Sequence, residues 1–304
     1  MDRRIRAHHG PHAPRLATHP EKRPPWNPTP GAAHCATATT PRRGRRRTRH
    51  EPPVDLVGAR GPRVHRRLRA GRRVPLAQHF RVIAYEYPGH GWTTHATRDL
   101  ELPDYVAHLD GLLDALGVGR AHLSGESLGG WLALKYAAAH PGRVGRVLLN
   151  TPGGTMATPE VMERIRSLSQ AAADDPSHER IRARLEWLMA DPSSVTEELI
   201  DIRRTIYARP GFAESMRHLL CLQDPEIRAR NLVTDSELAA VAGPAMVVWT
   251  SDDPSGPAAA GMAMAEKMPD ARFEVIKDAG HWPQWEQHEV FNALALDFLT
   301  GKGD

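Results

Sequence analysis

The chain of 304 residues contains only two cysteines, Cys35 and Cys221, too few for a disulfide framework or a thiolate metal site. No apolar run approaches the length needed to span a membrane, and Arg3-Arg4 is not followed by an apolar stretch of the kind that drives export. These absences point to a protein of the reducing cytoplasm, with no signal peptide and no membrane partner. The seventeen histidines show no H-x-x-x-H or Cys/His ligand spacing on a helix or loop suited to it, so no metal is expected. Aromatic residues make up 6% of the chain, and none is interleaved with its densest arginine run, Arg42-Arg43-Gly44-Arg45-Arg46-Arg47. Stacking on nucleic-acid bases needs such rings, so the run argues weakly for a nucleic-acid partner.

What is present divides into two unlike parts. Residues 1–73 carry nineteen basic side chains against four acidic ones, a net of +15, so the remaining residues carry −11. This Arg/Pro/His-rich head has little apolar periodicity and cannot bury enough surface to offset its ordering entropy; disorder is its default state. Its abundance of arginine, proline, alanine and glycine is also what a shifted reading of a GC-rich gene would produce, and that origin is the favoured expectation. An anion-binding tail is the alternative.

From Val74 the pattern changes. Phe80–Tyr85 reads as a buried strand broken by the turn Pro88-Gly89-His90-Gly91. Leu102–Leu116 puts Tyr105, Leu109, Leu112, Leu113 and Leu116 on one helical face, ended by Gly117. Strands follow at Ala121–Ser124 and Val144–Leu149, then at Ala245–Trp249 and Phe273–Ile276, with a last helix presenting Phe291, Leu294, Ala295, Phe298 and Leu299. Short apolar strands alternating with amphipathic helices are the mark of a mostly parallel sheet covered by helices on both faces, an α/β architecture. Residues 153–238 interrupt it with charged helical segments, Val161–Leu168, Ile181–Met189 and Thr196–Tyr207, which read as a cap over a pocket. The expected organisation is a head over 1–73, core segments over 74–152 and 239–304, and the helical cap between them.

Gly125-Glu126-Ser127-Leu128-Gly129 fits G-x-S-x-G, set between a strand and a helix. On such a turn only glycine-sized neighbours fit, and the serine hydroxyl is lifted clear of the sheet. The helix N-terminus then aims the Leu128 amide at any oxyanion formed beside Ser127, and Gly130 lets the helix approach closely. Serine needs a base to take its proton, and the base needs a third group to fix its tautomer. Both should lie on loops after later strands, in the order serine, acid, histidine. His281 follows Phe273–Ile276 and is assigned as the general base. Asp253, after Ala245–Trp249, is assigned as the orienting carboxylate, with the adjacent Asp252 as its rival.

With those residues in place, the chain from Val74 onward resembles the α/β-hydrolase fold and, within it, the meta-cleavage product hydrolases, which break a carbon–carbon bond in ring-fission dienoates. The run Gly280-His281-Trp282-Pro283-Gln284-Trp285-Glu286, continuing to Phe291-Asn292 and Asp297-Phe298-Leu299, is similar to that family's His-Trp segment. So is Asp191-Pro192-Ser193 with Thr196-Glu197-Glu198-Leu199 and Arg203. The resemblance implies hydrolysis of a 2-hydroxy-6-oxo-dienoate without a cofactor, Arg203 pairing with the substrate's carboxylate and 2-oxo end, and Trp282 walling the pocket. It leaves a homo-oligomer open. Two features depart from the family pattern. Glu126 replaces a small polar residue before the nucleophile. The strand that should end in a His-Gly, Gly-rich loop and supply the second oxyanion amide is missing, Val54–Gly61 being a poor stand-in, so the N-terminal strands are expected to be absent or scrambled. A carboxylesterase or lactonase uses the same triad. A catalytically impaired pseudo-hydrolase is the alternative if the oxyanion loop is lost.

Overall fold

Alternating burial along two strands sets the layering. In β5 (Val144–Asn150) Val147 and Leu149 join one apolar cluster while Leu148 joins another. In β6 (Ala245–Thr250) Val247 and Trp249 go with the first and Met246 and Val248 with the second. A strand whose every residue is buried must have both faces covered. In the computed structural model, which describes residues 36–37, 55–59 and 75–302, helices supply both covers.

Among the described residues, seven strands form one sheet in the order β1-β3-β2-β4-β5-β6-β7. They are β1 (Ala36–Thr37), β2 (Asp55–Ala59), β3 (Arg81–Tyr85), β4 (Ala121–Glu126), β5, β6 and β7 (Ala271–Ile276). All neighbours are parallel except β1, which runs antiparallel to β3. One face is covered by α1 (Leu102–Ala115), α2 (Leu128–Ala139) and α9 (Ala258–Ala265), the other by the C-terminal helix α10 (His288–Thr300) with Phe291, Ala295, Phe298 and Leu299 buried. In α1 the expected face is buried at Tyr105, Leu109 and Leu113, and Leu112 and Leu116 pack at its margin. The α2 helix is apolar almost all round because it lies against β4 and β5 and beneath α8 (Asp235–Ala239).

One expectation is corrected. The central strand expected to be lacking is present: Asp55–Ala59 pairs in parallel with both neighbours, Asp55 opposite Arg81 on β3 and Ala121 on β4, and Ala59 opposite Tyr85 and Gly125. Its pairing partners lie far along the chain, so the flanking arginines and prolines carried no local signal of it. Apart from Ala36–Thr37, the rest of residues 1–73 falls outside the described residues, and so do all residues from 60 on that could supply the second oxyanion amide next to β2.

Between β5 and β6 lie six α-helices and no strand, among them α3 (Pro159–Asp174), α4 (His178–Glu186), α5 (Glu197–Tyr207), α6 (Phe212–Leu219) and α7 (Pro225–Asn231). Thr158, Ser177, Thr196 and Asp224 accept hydrogen bonds from backbone amides at the starts of α3, α4, α5 and α7. The apolar stripes of α3, α4, α5 and α6 meet in a separate cluster that includes Ile181, Leu185, Leu199, Ile200, Ile206 and Phe212, against which Trp282 and Trp285 pack. The helical layer therefore has a core of its own, while Leu219, Cys221, Leu222 and Leu238 from the same stretch join the main cluster beside the sheet.

Candidate active site

β4 ends at Glu126 and α2 begins at Leu128, so a single residue makes the turn. Ser127 has φ 53° and ψ −115°, a conformation that costs a non-glycine residue about 1–3 kcal/mol. Its surroundings hold it there. The Ser127 amide donates to the Asn150 carbonyl at 3.1 Å, and the Ser127 carbonyl accepts from Trp131 at 3.0 Å and Gly153 at 2.9 Å. A Cβ on Gly125 would stand 2.1 Å from the Gly129 carbonyl oxygen, and one on Gly130 would stand 2.6 Å from Pro152 Cβ. Close approach, rather than flexibility, is what requires these two glycines. As the first residue of α2, Leu128 has an amide with no carbonyl one turn back to receive it, and it adjoins the serine.

The loops after β6 and β7 are tied to each other: Ser251 N donates to the Ile276 carbonyl and Asp252 N to the Ala279 carbonyl, each at 3.1 Å. This brings Asp253 beneath His281, whose Nδ1 lies 3.0 Å from both carboxylate oxygens. The Asp253 side chain is wholly covered and that of His281 nearly so. Ser255 donates to Asp253 Oδ1 through its amide at 2.8 Å and its hydroxyl at 2.7 Å, and that hydroxyl lies 3.3 Å from His281 Nδ1. Asp252 points elsewhere, accepting from Ser251 Oγ at 2.6 Å at the surface. Of the two adjacent carboxylates, the structure brings Asp253 to the histidine.

The histidine loop is clamped on its far side by the helical layer. His281 N donates to the Leu188 carbonyl at 2.6 Å, and a Cβ on Gly280 would meet the same oxygen at 2.4 Å. Glu286 accepts from Gly280 N at 2.7 Å and Asp191 N at 2.9 Å, bridging the two segments, and Trp285 Nε1 donates to the Ser194 carbonyl at 2.9 Å.

Around the imidazole the charges are dense. Burial by itself lowers the His281 pKa, but the Asp253 carboxylate and its hydrogen bond, with Glu126 adding to them, outweigh burial and hold it above the ordinary value. Asp253 is lowered although burial opposes this, because His281 and Ser255 favour its anion. Glu126 Oε1 is 3.1 Å from His281 Nε2, the nitrogen a nucleophilic serine would use. Among the described residues no hydrogen bond joins Ser127 Oγ to His281. Burial raises the Glu126 pKa, with the cations of His281, Arg203 and Arg184 working against that rise.

Arg203, on α5, lies between two rings, its guanidinium carbon 5.5 Å from the centre of Tyr207 and 5.7 Å from that of Trp282. Its Nη1 reaches Tyr207 Oη at 3.4 Å, and its buried Nε has no partner. A half-covered guanidinium with a free donor at the edge of the site can take a carboxylate. His90, in the Pro88–Gly91 turn, is kept neutral: burial and then the nearby Arg203 charge overcome a hydrogen bond to the Pro88 carbonyl and lower its pKa to about 4.

Three participants were not singled out from the sequence. Arg184, on α4, donates from Nε to Ser169 Oγ at 2.9 Å and stacks on Trp187, leaves Nη1 buried and unpartnered, and is lowered by burial to about 10. Ser255 and Glu286 are the others; Glu286 stands inside the quoted His-Trp run, which was the available signal. Nothing local marks Arg184, because its position depends on how the helical layer folds back.

The family model for the alpha/beta hydrolase fold matches residues 73–287. The chain belongs to the α/β-hydrolase family. This hydrolase is 34% identical over 230 residues to the 2-hydroxy-6-oxo-6-phenylhexa-2,4-dienoate hydrolase of Burkholderia cepacia, covering 74% of the chain and 79% of the relative. It is 35% identical over 228 residues to the 2-hydroxy-6-oxononadienedioate/2-hydroxy-6-oxononatrienedioate hydrolase of Burkholderia vietnamiensis, covering 72% and 76%. Among solved structures, a meta-cleavage product hydrolase of Pseudomonas fluorescens superposes with a TM-score of 0.68 at 27% identity, over 83% of this chain and 92% of that one. An esterase of Thermogutta terrifontis has the same score at 24% identity and shares the fold. Within the family the hydrolase therefore resembles the meta-cleavage product enzymes.

Proposed function

We propose that this hydrolase cleaves the carbon–carbon bond next to the distal ketone of a 2-hydroxy-6-oxo-dienoate by a serine–histidine–aspartate mechanism. The observation that carries the reading is the pairing of His281 Nδ1 with both Asp253 oxygens at 3.0 Å, on loops that face the strained turn of Ser127. The identity to relatives named as dienoate hydrolases supports the substrate class. Arg203 takes the carboxylate and 2-oxo end, and Trp282 forms the wall beside it. A proton moved by His281 converts the dienol to its keto form, making the C5 carbon a leaving group with an electron sink. His281 then accepts the Ser127 proton as Oγ adds to the C6 ketone, and the Leu128 amide stabilises the oxyanion. One such donor contributes about 100- to 1000-fold in turnover. Collapse breaks the C5–C6 bond, and water hydrolyses the acyl-enzyme. No cofactor enters this sequence.

The residues between β5 and β6 serve as the cap, with the distal substituent held beneath it. A carboxylesterase is the second reading, favoured by the same triad and by the shared esterase fold. The test is a comparison of kcat/KM on a dienoate and on an activated ester, with chromatographic identification of the carboxylic acid and 2-hydroxydienoate products. A strong preference for the dienoate with both products in equal amounts is expected; ester turnover alone would establish the second reading.

A further inference from the structure

The triad leaves the carboxylate next to the nucleophile without a role. Glu126 immediately precedes the nucleophile, yet its carboxylate reaches past Ser127 to His281 Nε2, 3.1 Å away, while Asp253 holds Nδ1 from the other side at 3.0 Å. Both ring nitrogens thus face carboxylates. A neutral imidazole has one N–H to offer, whereas an imidazolium has two, so the double flanking suits the cation. We propose that Glu126 is a positioning residue that keeps His281 protonated in the free enzyme, so that the imidazolium is the acid that delivers the proton to C5 of the bound dienolate. This rests on the dienoate reading above.

Burial leaves the Glu126 pKa raised, and three of the four surrounding charges favour its ionised form. The carboxylate is acted on by His281 from the β7 loop, by Arg203 from α5 and by Arg184 from α4, three cations, with the Asp253 anion opposing. The neighbouring Tyr87 hydroxyl is buried and without a partner, its pKa raised first by burial and in part by this carboxylate. His281 is acted on by Asp253 and Glu126, which favour its cation, and by Arg184, which does not; burial also disfavours the charge but is outweighed.

The enolate oxygen re-forms the C2 carbonyl, the C4–C5 double-bond pair takes the proton from Nε2, and the N–H pair stays on nitrogen as a lone pair. His281 is then neutral, the form needed to accept the Ser127 proton when Oγ adds to C6. After carbon–carbon cleavage His281 protonates the departing enolate, and in deacylation it takes a proton from water and returns it to Ser127. The carboxylic acid released has a proton to give back, which restores the imidazolium beside Glu126. A substrate needing no C5 protonation, such as a simple ester, gains nothing from this store and is slowed by it, because the imidazolium cannot accept a proton from serine.

The consequence is an opposite effect on two reactions, which a merely structural role cannot produce. An opposing charge this close shifts a pKa by about 1–3 units. Glu126→Gln is isosteric and removes the charge, so the acid limb of kcat/KM for an activated ester should move down by about 1 pH unit or more. Below that limb the ester rate rises about tenfold per unit, while the ketonisation phase of dienolate decay above neutral pH falls at least about tenfold. Glu126→Asp, which keeps the charge, should move both rates back toward wild type. The measurement is the pH profile of ester turnover beside stopped-flow dienolate decay for the wild-type, Glu126→Gln and Glu126→Asp chains. Ester rates up with ketonisation down supports the proposal; unchanged ester limbs, or both rates falling together, overturn it. A wild-type chain that leaves the dienolate coloured overturns the substrate reading instead, so the two failures are distinguishable.

Discussion

Replacing Asp253 by asparagine changes one charge and almost no volume, at a side chain with no exposed surface. Two carboxylate oxygens at 3.0 Å hold a His281 proton on Nδ1, so that Nε2 is the base once it has given up its own proton. Asparagine offers an NH2 to that nitrogen as readily as an oxygen, and an NH2 there favours the tautomer with Nε2 protonated, which cannot accept the serine proton. Loss of the correct tautomer at an otherwise intact triad costs about 10⁴-fold in turnover, or about 5.5 kcal/mol. Ser255 Oγ, 3.3 Å from the same nitrogen, can rescue only part of this, since it is neutral. The assay is kcat for an activated ester and for the dienoate across pH, beside Asp252→Asn as the control. Asp253→Asn should lose three to four orders of magnitude on both substrates and Asp252→Asn less than about threefold, as for a surface change. Retention of activity by Asp253→Asn, or its loss in Asp252→Asn, would refute the assignment of the acid.

Other expectations test the remaining parts. Arg203→Gln should cut kcat/KM for the dienoate about 30- to 100-fold, the loss of a charge-assisted pair of about 2–3 kcal/mol, and leave a neutral ester within a few-fold. Ser127→Gly should abolish turnover yet raise the free energy of unfolding in urea by about 1 kcal/mol, because relief of the φ 53° strain exceeds the added chain entropy. Glu286→Ala removes the acceptor of two amides that hold the histidine loop to the helical layer, and should lower kcat more than it raises KM. In stability against pH, His281 has a raised folded pKa, so its contribution is full below the unfolded value of about 6.5 and is lost as pH rises through the folded value. Asp253 acts oppositely: its contribution is present above the unfolded value of about 3.9 and is lost as pH falls through its lowered folded one. In urea titrations Asp253→Asn should flatten both limbs.

Much of this fold is legible because its signals are local. Alternation at Val147 to Leu149 and Ala245 to Trp249 marks strands buried on both faces, and the spacing from Tyr105 to Leu113 marks a helix with one buried side. The G-x-S-x-G turn is readable for the same reason: Gly125 and Gly130 are demanded by contacts within a few residues of Ser127 or just after β5. What escaped depends on distant partners. Asp55–Ala59 becomes a strand only because β3 and β4 accept it between them. Spacing cannot rank Asp252 against Asp253, since the choice is made by how the loops after β6 and β7 lock together at Ser251 and Asp252. Arg184 enters the site from a helix whose sequence reads as an ordinary charged surface. Glu126 was visible as an oddity, but its reach to His281 requires the folded loop.

In the proposed reaction Ser127, activated by His281, opens a carbon–carbon bond in a dienoate. Stopped-flow absorbance of the whole chain mixed with a 2-hydroxy-6-oxo-dienoate tests it most directly. Decay of the yellow dienolate to cleavage products is expected in the wild-type chain, and in Ser127→Ala no cleavage products at all. Cleavage that persists in Ser127→Ala, or a wild-type chain that leaves the dienoate intact, would contradict it.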